Sequence, residues 1–258
     1  MLGPLVINTG DISTAPTAPK LRTVLACIAV NAGKVVPVST LIGELWDVDP
    51  PNSAVTTLQT YILNLRKLLA SATERPMAEI AQEVLVTRAG GYLIKTEETE
   101  LDFTLYHEKE AAGRRLISAG KPHAGIAVLD DALNLWRGPA LIDVRGCWVL
   151  EIRRLRLEES RLAVLEKMIE TQIRLGMYRE VLPSLVALAG SNPLHEGIHA
   201  QYMRALYLSG RRTQALKAFQ ELRCNLVREL GTEPGRHIQR LHQAILVAEN
   251  DALVLPHG

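Results

Sequence analysis

The segment from residue 54 to residue 69 has the clearest helical pattern in the chain and constrains the fold of the N-terminal third. Its apolar residues recur every three or four positions, as on one buried face of an α-helix: they are Val55, Leu58, Ile62, Leu65 and Leu69. The opposite face has no acidic residue and consists of Thr56, Thr57, Gln59, Thr60, Asn64 and Lys67, with Arg66 at its edge. Such a face can hydrogen-bond base edges and pair with phosphates, although without further context a solvated helix face is the commoner explanation.

The sequence after this helix has the pattern of a β-hairpin. Two β-rich runs between residues 85 and 94 flank Gly90-Gly91, a pair that is typical of a tight turn. Thr87 and Arg88 lie near the expected tip. An arginine at the tip of a hairpin next to a DNA-reading helix can reach the minor groove, where the potential is most negative.

The sequence before residue 54 contains a short strand signal and two further helical segments. We expect Ser39 to cap the second helix and Asn52 or Ser53 to cap the third. Three helices followed by a hairpin is the order of a winged helix-turn-helix, whose third helix enters the major groove. We therefore predict an α+β winged helix over residues 1–96, with Thr87 and Arg88 completing the DNA-binding set.

The second half of the chain has a helical pattern with an irregular repeat. Gly176 and Gly210 are 34 residues apart, which is the period of tetratricopeptide repeats. The positions that follow them match in character: Val181 and Leu185 after the first, Ala215 and Phe219 after the second. We predict a mainly α protein, with an all-α tetratricopeptide-like domain over residues 101–250 and a disordered tail at residues 251–258. A helical stack of this kind offers a concave surface to a partner protein.

One motif in the second half resembles an enzyme site. His195 and His199 bracket Glu196 in a literal HExxH pattern, which in a helix places two zinc ligands on one face. No Gly-x-x-His follows, and Glu221 is the one candidate for a third ligand that we identify. We interpret the motif as ordinary residues at the start of a helix, in preference to the site of a zinc hydrolase or an adventitious metal site. The chain also lacks phosphate-binding glycine-rich loops and G-x-S-x-G, so we predict no catalytic residue, no cofactor and no metal.

The composition has no marked charge excess. Lys and Arg number 29 and Asp and Glu 28, a formal net charge of +1. One protomer can neutralise few phosphates, so its non-specific DNA affinity is expected to be modest and sensitive to salt. No apolar run approaches a membrane span and no signal peptide is recognisable. We expect no membrane partner and a cytoplasmic, nucleoid-associated protein.

The tryptophans and cysteines are expected to be structural. The tryptophans lie among apolar neighbours, which favours packing in a core or between domains over stacking on a ligand: they are Trp46, Trp136 and Trp148. The cysteines follow no CxxC spacing, which favours small buried apolar residues in a reducing compartment: they are Cys27, Cys147 and Cys224.

Several short motifs together resemble the Streptomyces antibiotic regulatory protein (SARP) family. In the first half they are Leu2-Gly3-Pro4-Leu5, Gly43-Glu44-Leu45-Trp46, Thr57-Leu58-Gln59-Thr60-Tyr61, Leu65-Arg66-Lys67-Leu68-Leu69 and Arg88-Ala89-Gly90-Gly91-Tyr92. In the second half they include the segments 132–141, 205–211 and 229–234. The resemblance extends over roughly residues 2–250 and departs at Leu63-Asn64, where the family pattern has a Ser-Arg-like pair.

The resemblance implies a function that the composition alone does not. It implies a small single-unit activator, with a winged helix similar to that of response-regulator transcription factors and a bacterial transcriptional activation domain. The implied partners are double-stranded DNA, bound as a homodimer at direct repeats near promoters, and RNA polymerase including its sigma subunit. The implied target is a secondary-metabolite (antibiotic) gene cluster. The alternative is a helical-repeat interaction scaffold whose winged helix binds protein.

Overall fold

The computed structural model describes residues 1–97, 99–146 and 148–247. The predicted tail at residues 251–258 and one of the three cysteines, Cys147, lie outside these ranges.

Contacts divide the chain into two compact units. The first contains residues 1–112 and 130–161, and the second contains residues 113–129 and the chain from residue 162 onward. Both units therefore contain part of the predicted second domain. The domain boundaries expected from the sequence stay a prediction.

The first hundred residues form the predicted three helices and hairpin, preceded by a smaller hairpin. The strands of the smaller hairpin are antiparallel, namely β1 (Ile7–Thr9) and β2 (Ile12–Thr14). The elements that follow are α1 (Pro19–Ala29), β3 (Val36–Pro37), α2 (Val38–Trp46), α3 (Ala54–Thr73), the short α4 (Met77–Glu79), a π-helical turn (Ile80–Val84), β4 (Leu85–Arg88) and β5 (Gly91–Ile94). In the three-stranded sheet, β5 lies between β3 and β4 and is antiparallel to both. The predicted winged helix-turn-helix is confirmed.

The starts of α2 and α3 differ in detail from the prediction. α2 begins at Val38 with Pro37 as its N-cap, so the prediction that Ser39 caps this helix is wrong. The cause is β3, because Pro37 pairs with Gly91 and its extended backbone runs directly into the helix. α3 has the predicted Ser53 at its N-cap, but the side chain makes no capping hydrogen bond.

The apolar stripe of α3 forms part of the core of the first unit. Leu58, Ile62 and Leu65 are almost fully buried and Leu69 nearly so, and α3 contacts both α1 and α2. Val55, the first residue of the predicted stripe, is instead 49% exposed. The helix therefore turns one end of its predicted buried face toward solvent.

The N-terminal segment of the first unit is joined to residues beyond position 130. The backbone N–H of Arg137 donates to the carbonyl oxygen of Leu2 at 2.7 Å. Asp143 accepts hydrogen bonds from the backbone N–H of Leu5 and from the guanidinium of Arg22, each at 2.8 Å. These bonds tie α1 and the first residues of the chain to the segment that follows residue 133.

A second link of this kind involves a carboxylate of α2. Glu44 is only 6% exposed, and its Oε1 accepts a hydrogen bond at 2.9 Å from the backbone N–H of Val149. That N–H belongs to the first turn of a helix that begins at Trp148, where helix N–H groups have no partner within the helix. Glu44 therefore satisfies one of them and also places a negative charge at the positive end of the helix dipole.

The remaining elements are all helices, as predicted. They are α5 (Asp102–Ser118), α6 (Pro122–Leu133), α7 (Trp148–Arg174), α8 (Leu182–Ser191), α9 (Glu196–Leu208), α10 (Arg212–Leu230) and α11 (Arg236–Val247). No helix in the described ranges is long and apolar enough to cross a membrane.

The second unit has its own apolar core, and the predicted repeat positions lie in it. The residues expected to be equivalent are all buried: Val181, Leu185, Ala215 and Phe219. Gly176 follows α7 and Gly210 follows α9, with φ angles of +83° and +79°. Glycine is favoured there because residues with a Cβ rarely adopt left-handed backbone.

Two of the structural expectations for tryptophan and cysteine are wrong. Trp136 and Cys27 are buried, but Trp148 is 75% exposed and Cys224 is exposed. Trp148 is the first residue of α7, where its apolar neighbours in sequence point to other faces of the helix. Burial, reinforced by the Glu44 carboxylate, raises the pKa of the Cys27 thiol to about 12, so this cysteine is an inert apolar residue.

Candidate nucleic-acid interface

The solvent side of α3 consists of two neighbouring rows of residues spaced four apart. The first row is Val55, Gln59, Leu63 and Lys67, and all four are exposed. The second row is Thr56, Thr60 and Asn64, again all exposed. Thr57 is half-buried at the edge of this face. The structure therefore brings together on one surface the polar residues of the helix that the sequence predicts.

Arg66 has a different role from its neighbours, because its guanidinium points back to the hairpin. Its Nε and Nη2 donate to the carbonyl oxygen of Leu85 at 3.0 and 2.8 Å, and Nη2 also donates to Thr87 Oγ1 at 2.8 Å. Burial lowers the pKa of Arg66 from its ordinary value. The two predicted residues Arg66 and Thr87 thus form a direct link between α3 and β4, a pairing that helical periodicity does not reveal.

This link yields a test of stability. Arg66→Lys is expected to lower the free energy of unfolding by about 1 kcal/mol, because one ammonium group cannot reproduce the forked contact with Leu85 and Thr87. Chemical denaturation would measure the change. Lys67→Arg, at the exposed neighbouring position, is the matched control and should leave stability within about 0.5 kcal/mol. Equal effects of the two substitutions would contradict a linking role for Arg66.

The hairpin tip is formed by β4, Gly90 and β5, with Thr87 and Arg88 both exposed. Gly90 has φ +80°, as a tight turn requires. A Cβ at Gly91 would lie 2.8 Å from the carbonyl carbon of Val36, and closer still to its oxygen. The hairpin therefore packs against β3 at a position where only glycine fits.

The charge of this surface is favourable for an anionic partner. Two acidic residues near the hairpin and the end of α3 are paired: Glu83 accepts from Lys95 at 2.6 Å, and Glu79 accepts from Arg75 at 2.8 Å. A third, Glu74, is the exposed C-cap of α3. Lys67 and Arg88 form no salt bridge with a described carboxylate. Two cations on adjacent elements are thus available to phosphates.

The HExxH motif does not have the geometry of a metal site. His195 is the N-cap of α9, outside the helix, and its Nδ1 accepts from the backbone N–H of Ile198 at 3.3 Å. Glu196 accepts from the backbone N–H of Gly235 at 2.9 Å, and His199 is buried inside the second unit. Within the described ranges, no three His, Cys, Asp or Glu side chains are grouped as metal ligands. His195 and Glu196 thus stand at the start of a helix, and His199 packs in the core. This is the arrangement that the sequence favours.

The buried imidazole of His199 predicts a pH dependence of stability. Burial lowers the pKa of His199 below its ordinary value of 6.5, an effect that the Glu221 carboxylate opposes. The unfolded chain then binds a proton more readily than the folded chain, so stability is fully present above pH 6.5 and decreases as the pH falls below it.

Thermal unfolding between pH 5 and pH 8 would measure this dependence. His199→Leu is expected to flatten the decrease below pH 6.5, because the titrating group is gone. His123→Leu, at an exposed position of the same unit, should retain the wild-type profile. Parallel profiles for wild type and His199→Leu would show that another group causes the decrease.

Comparison with known proteins agrees with this architecture. Residues 14–94 match the family described as "Transcriptional regulatory protein, C terminal", and residues 101–246 match the "Bacterial transcriptional activator domain" family. A solved structure of Mycobacterium tuberculosis EmbR, in complex with a low-affinity phosphopeptide, superposes with a TM-score of 0.88 at 30% sequence identity. It covers 98% of this chain, which spans 65% of the EmbR chain.

Two curated relatives extend the similarity over nearly the whole chain. The regulatory protein DnrI of Streptomyces peucetius is 45% identical over 249 residues, which are 96% of this chain and 92% of DnrI. The transcriptional regulator RedD of Streptomyces coelicolor is 34% identical over 261 residues, covering 99% of this chain and 72% of RedD. With a winged helix followed by a bacterial transcriptional activator domain, the chain belongs to the SARP family of DNA-binding transcriptional activators.

Proposed function

We propose that this protein activates a secondary-metabolite (antibiotic) gene cluster by binding direct repeats near a promoter and recruiting RNA polymerase. The observation that carries the proposal is the exposed face of α3, which has no acidic residue. Arg66 links this helix to the hairpin that bears Arg88. A helix and a hairpin joined in this way can contact a major groove and the neighbouring minor groove together.

Each residue of this surface has a proposed role. Asn64 and Gln59 have side-chain amides, which suit bidentate hydrogen bonds to adenine. Lys67 and Arg88 suit phosphate or minor-groove contacts. The hydroxyl residues suit either bases or phosphates, and they are Thr56, Thr57, Thr60 and Thr87. Arg66 acts through the hairpin as a positioning residue.

The low net charge supports binding as a homodimer. With a formal charge of +1, one protomer has little net electrostatic attraction to DNA, so tight occupancy at physiological salt needs a second protomer or bound polymerase. Direct repeats would place two protomers in the same orientation. The helical second unit is the proposed contact for polymerase, including its sigma subunit.

The same proposal leaves no role for catalysis. The chain acts without a cofactor or a metal, and it acts in the cytoplasm on nucleoid DNA. This part of the proposal is supported by the family of transcriptional regulators to which the chain belongs and by the structural roles of His195, Glu196 and His199.

The test is in vitro selection of sheared genomic DNA by the purified 258-residue protein. We expect enrichment of a few promoter fragments that share a repeated motif, and the spacing of the repeats would give the arrangement of protomers. Run-off transcription from an enriched fragment, with purified RNA polymerase holoenzyme, should increase when the protein is added.

Two charge-reversal variants accompany this test. Lys67→Glu/Arg88→Glu changes two exposed residues of the proposed surface and should abolish the enrichment. Lys217→Glu, at a position 77% exposed in the second unit, should retain it. Enrichment that survives the double reversal would contradict the proposed surface, and binding of a protein partner without DNA enrichment would favour the scaffold alternative.

A further inference from the structure

An apolar side chain occupies the middle of the recognition face. Leu63 is 41% exposed and lies in the row of α3 that also contains Gln59 and Lys67, one turn before and one turn after it. Thr60 adjoins it on the second row. Leu63 is thus surrounded by the residues proposed to contact DNA, at the point where the helix would lie deepest in a groove.

The hydrogen-bond donors around Leu63 are fewer than the sequence suggests. Thr60 Oγ1 donates to the backbone carbonyl of Thr56 at 3.0 Å, so its hydroxyl hydrogen is used within the helix and its methyl group remains at the surface. Arg66, one turn after Leu63, directs Nε and Nη2 to Leu85. The centre of the face is therefore apolar, with the amides of Gln59 and Asn64 at its sides.

One base offers an apolar group to such a centre. In the major groove, thymine presents its C5 methyl group beside one acceptor, O4, whereas the other bases present hydrogen-bond donors and acceptors without a methyl group. Apolar side chains contact this methyl group favourably, and a leucine placed against a cytosine or guanine edge would leave the polar groups of that base unpaired.

We propose that Leu63 is a specificity-determining residue that contacts the C5 methyl group of a thymine, and so selects a T·A pair near the middle of the site that α3 covers. This inference rests on the proposed DNA-binding function. Removal of one methyl group from such a contact is expected to weaken binding about 4-fold.

The test uses deoxyuridine, which has the hydrogen-bonding groups of thymine but lacks the methyl group. Each thymine of an enriched promoter fragment is replaced singly by deoxyuridine, and fluorescence anisotropy measures the affinity of the 258-residue protein for each duplex. We expect one position in each repeat at which the replacement weakens wild-type binding about 4-fold. At that position Leu63→Ala should bind the two duplexes equally, while it keeps any sensitivity at other positions.

Two variants accompany this comparison. Leu63→Met keeps an apolar side chain of similar volume and should retain the sensitivity. Leu230→Ala removes a leucine that is 58% exposed in the second unit and should behave as wild type.

The outcomes separate the inference from the function on which it rests. If wild-type protein enriches specific fragments but Leu63→Ala has the same deoxyuridine profile as wild type, the inference is wrong and the proposed function stands. If no fragment is enriched over the Lys67→Glu/Arg88→Glu variant, both are wrong.

Discussion

Alanine at both Asn64 and Arg88 is expected to lower the affinity of the protein for its operator about 100-fold. Each substitution alone should cost about 10-fold, because the first removes a bidentate base contact and the second removes a phosphate or minor-groove contact. Both side chains are exposed, so folding should not be affected. Fluorescence anisotropy with an enriched promoter fragment at fixed salt would measure the change.

The salt dependence distinguishes the two contributions. Arg88→Ala should reduce the slope of log K against log salt by about 0.9, whereas Asn64→Ala should leave the slope unchanged because it removes no charge. Asn64→Ala should instead reduce the preference for operator over unrelated DNA. A double variant that binds within about 3-fold of wild type would show that α3 and the hairpin do not form the interface.

Gly91→Ala is expected to be the most destabilising single substitution in the hairpin, at about 3 kcal/mol. The added Cβ would lie 2.8 Å from the carbonyl carbon of Val36, so β3 and β5 would have to separate where Pro37 now pairs with Gly91. Because the same movement displaces the hairpin that bears Arg88, DNA affinity should fall with stability. Urea denaturation and operator binding would be measured on the same preparation.

Gly90→Ala is the matched control for this prediction. Gly90 has φ +80° but open space around it, so a Cβ costs only the strain of left-handed backbone, about 1 kcal/mol. Comparison of the two alanine variants thus distinguishes the stability lost through steric overlap from that lost through backbone strain. Equal losses of stability for the two variants would show that β3 yields easily to a side chain at Gly91.

The parts of the fold that could be predicted are those with a local signal. The apolar spacing of α3 and the Gly90-Gly91 turn each depend on a few adjacent residues, and together they predicted the winged helix. The 34-residue spacing of Gly176 and Gly210 likewise predicted a repeat of helices in the second half. Periodicity also predicted which residues of α3 face solvent, with the exposed Val55 and the half-buried Thr57 as exceptions.

The parts that could not be predicted depend on partners distant in sequence. Nothing local to Arg66 indicates that its guanidinium reaches the carbonyl of Leu85, and Ser39 lost its expected capping role because a strand pairs immediately before it. Trp148 has apolar neighbours in sequence and yet is exposed, since helical neighbours point in different directions. The site residues were found by residue type and spacing, whereas the link that positions them needed the folded chain.

The bond between Glu44 and the first turn of α7 has a consequence for how such proteins can be recombined. Together with the bonds of Leu2 and Arg22, it makes the DNA-reading half of the chain depend on residues near positions 137–149. A chimera that exchanges residues 1–96 between relatives would transfer the winged helix without the segment to which it is hydrogen-bonded. The winged helix and the residues that hold it, Arg137, Asp143 and Val149, therefore form a discontinuous stabilising unit. We expect chimeras to be more stable when both pieces come from one parent.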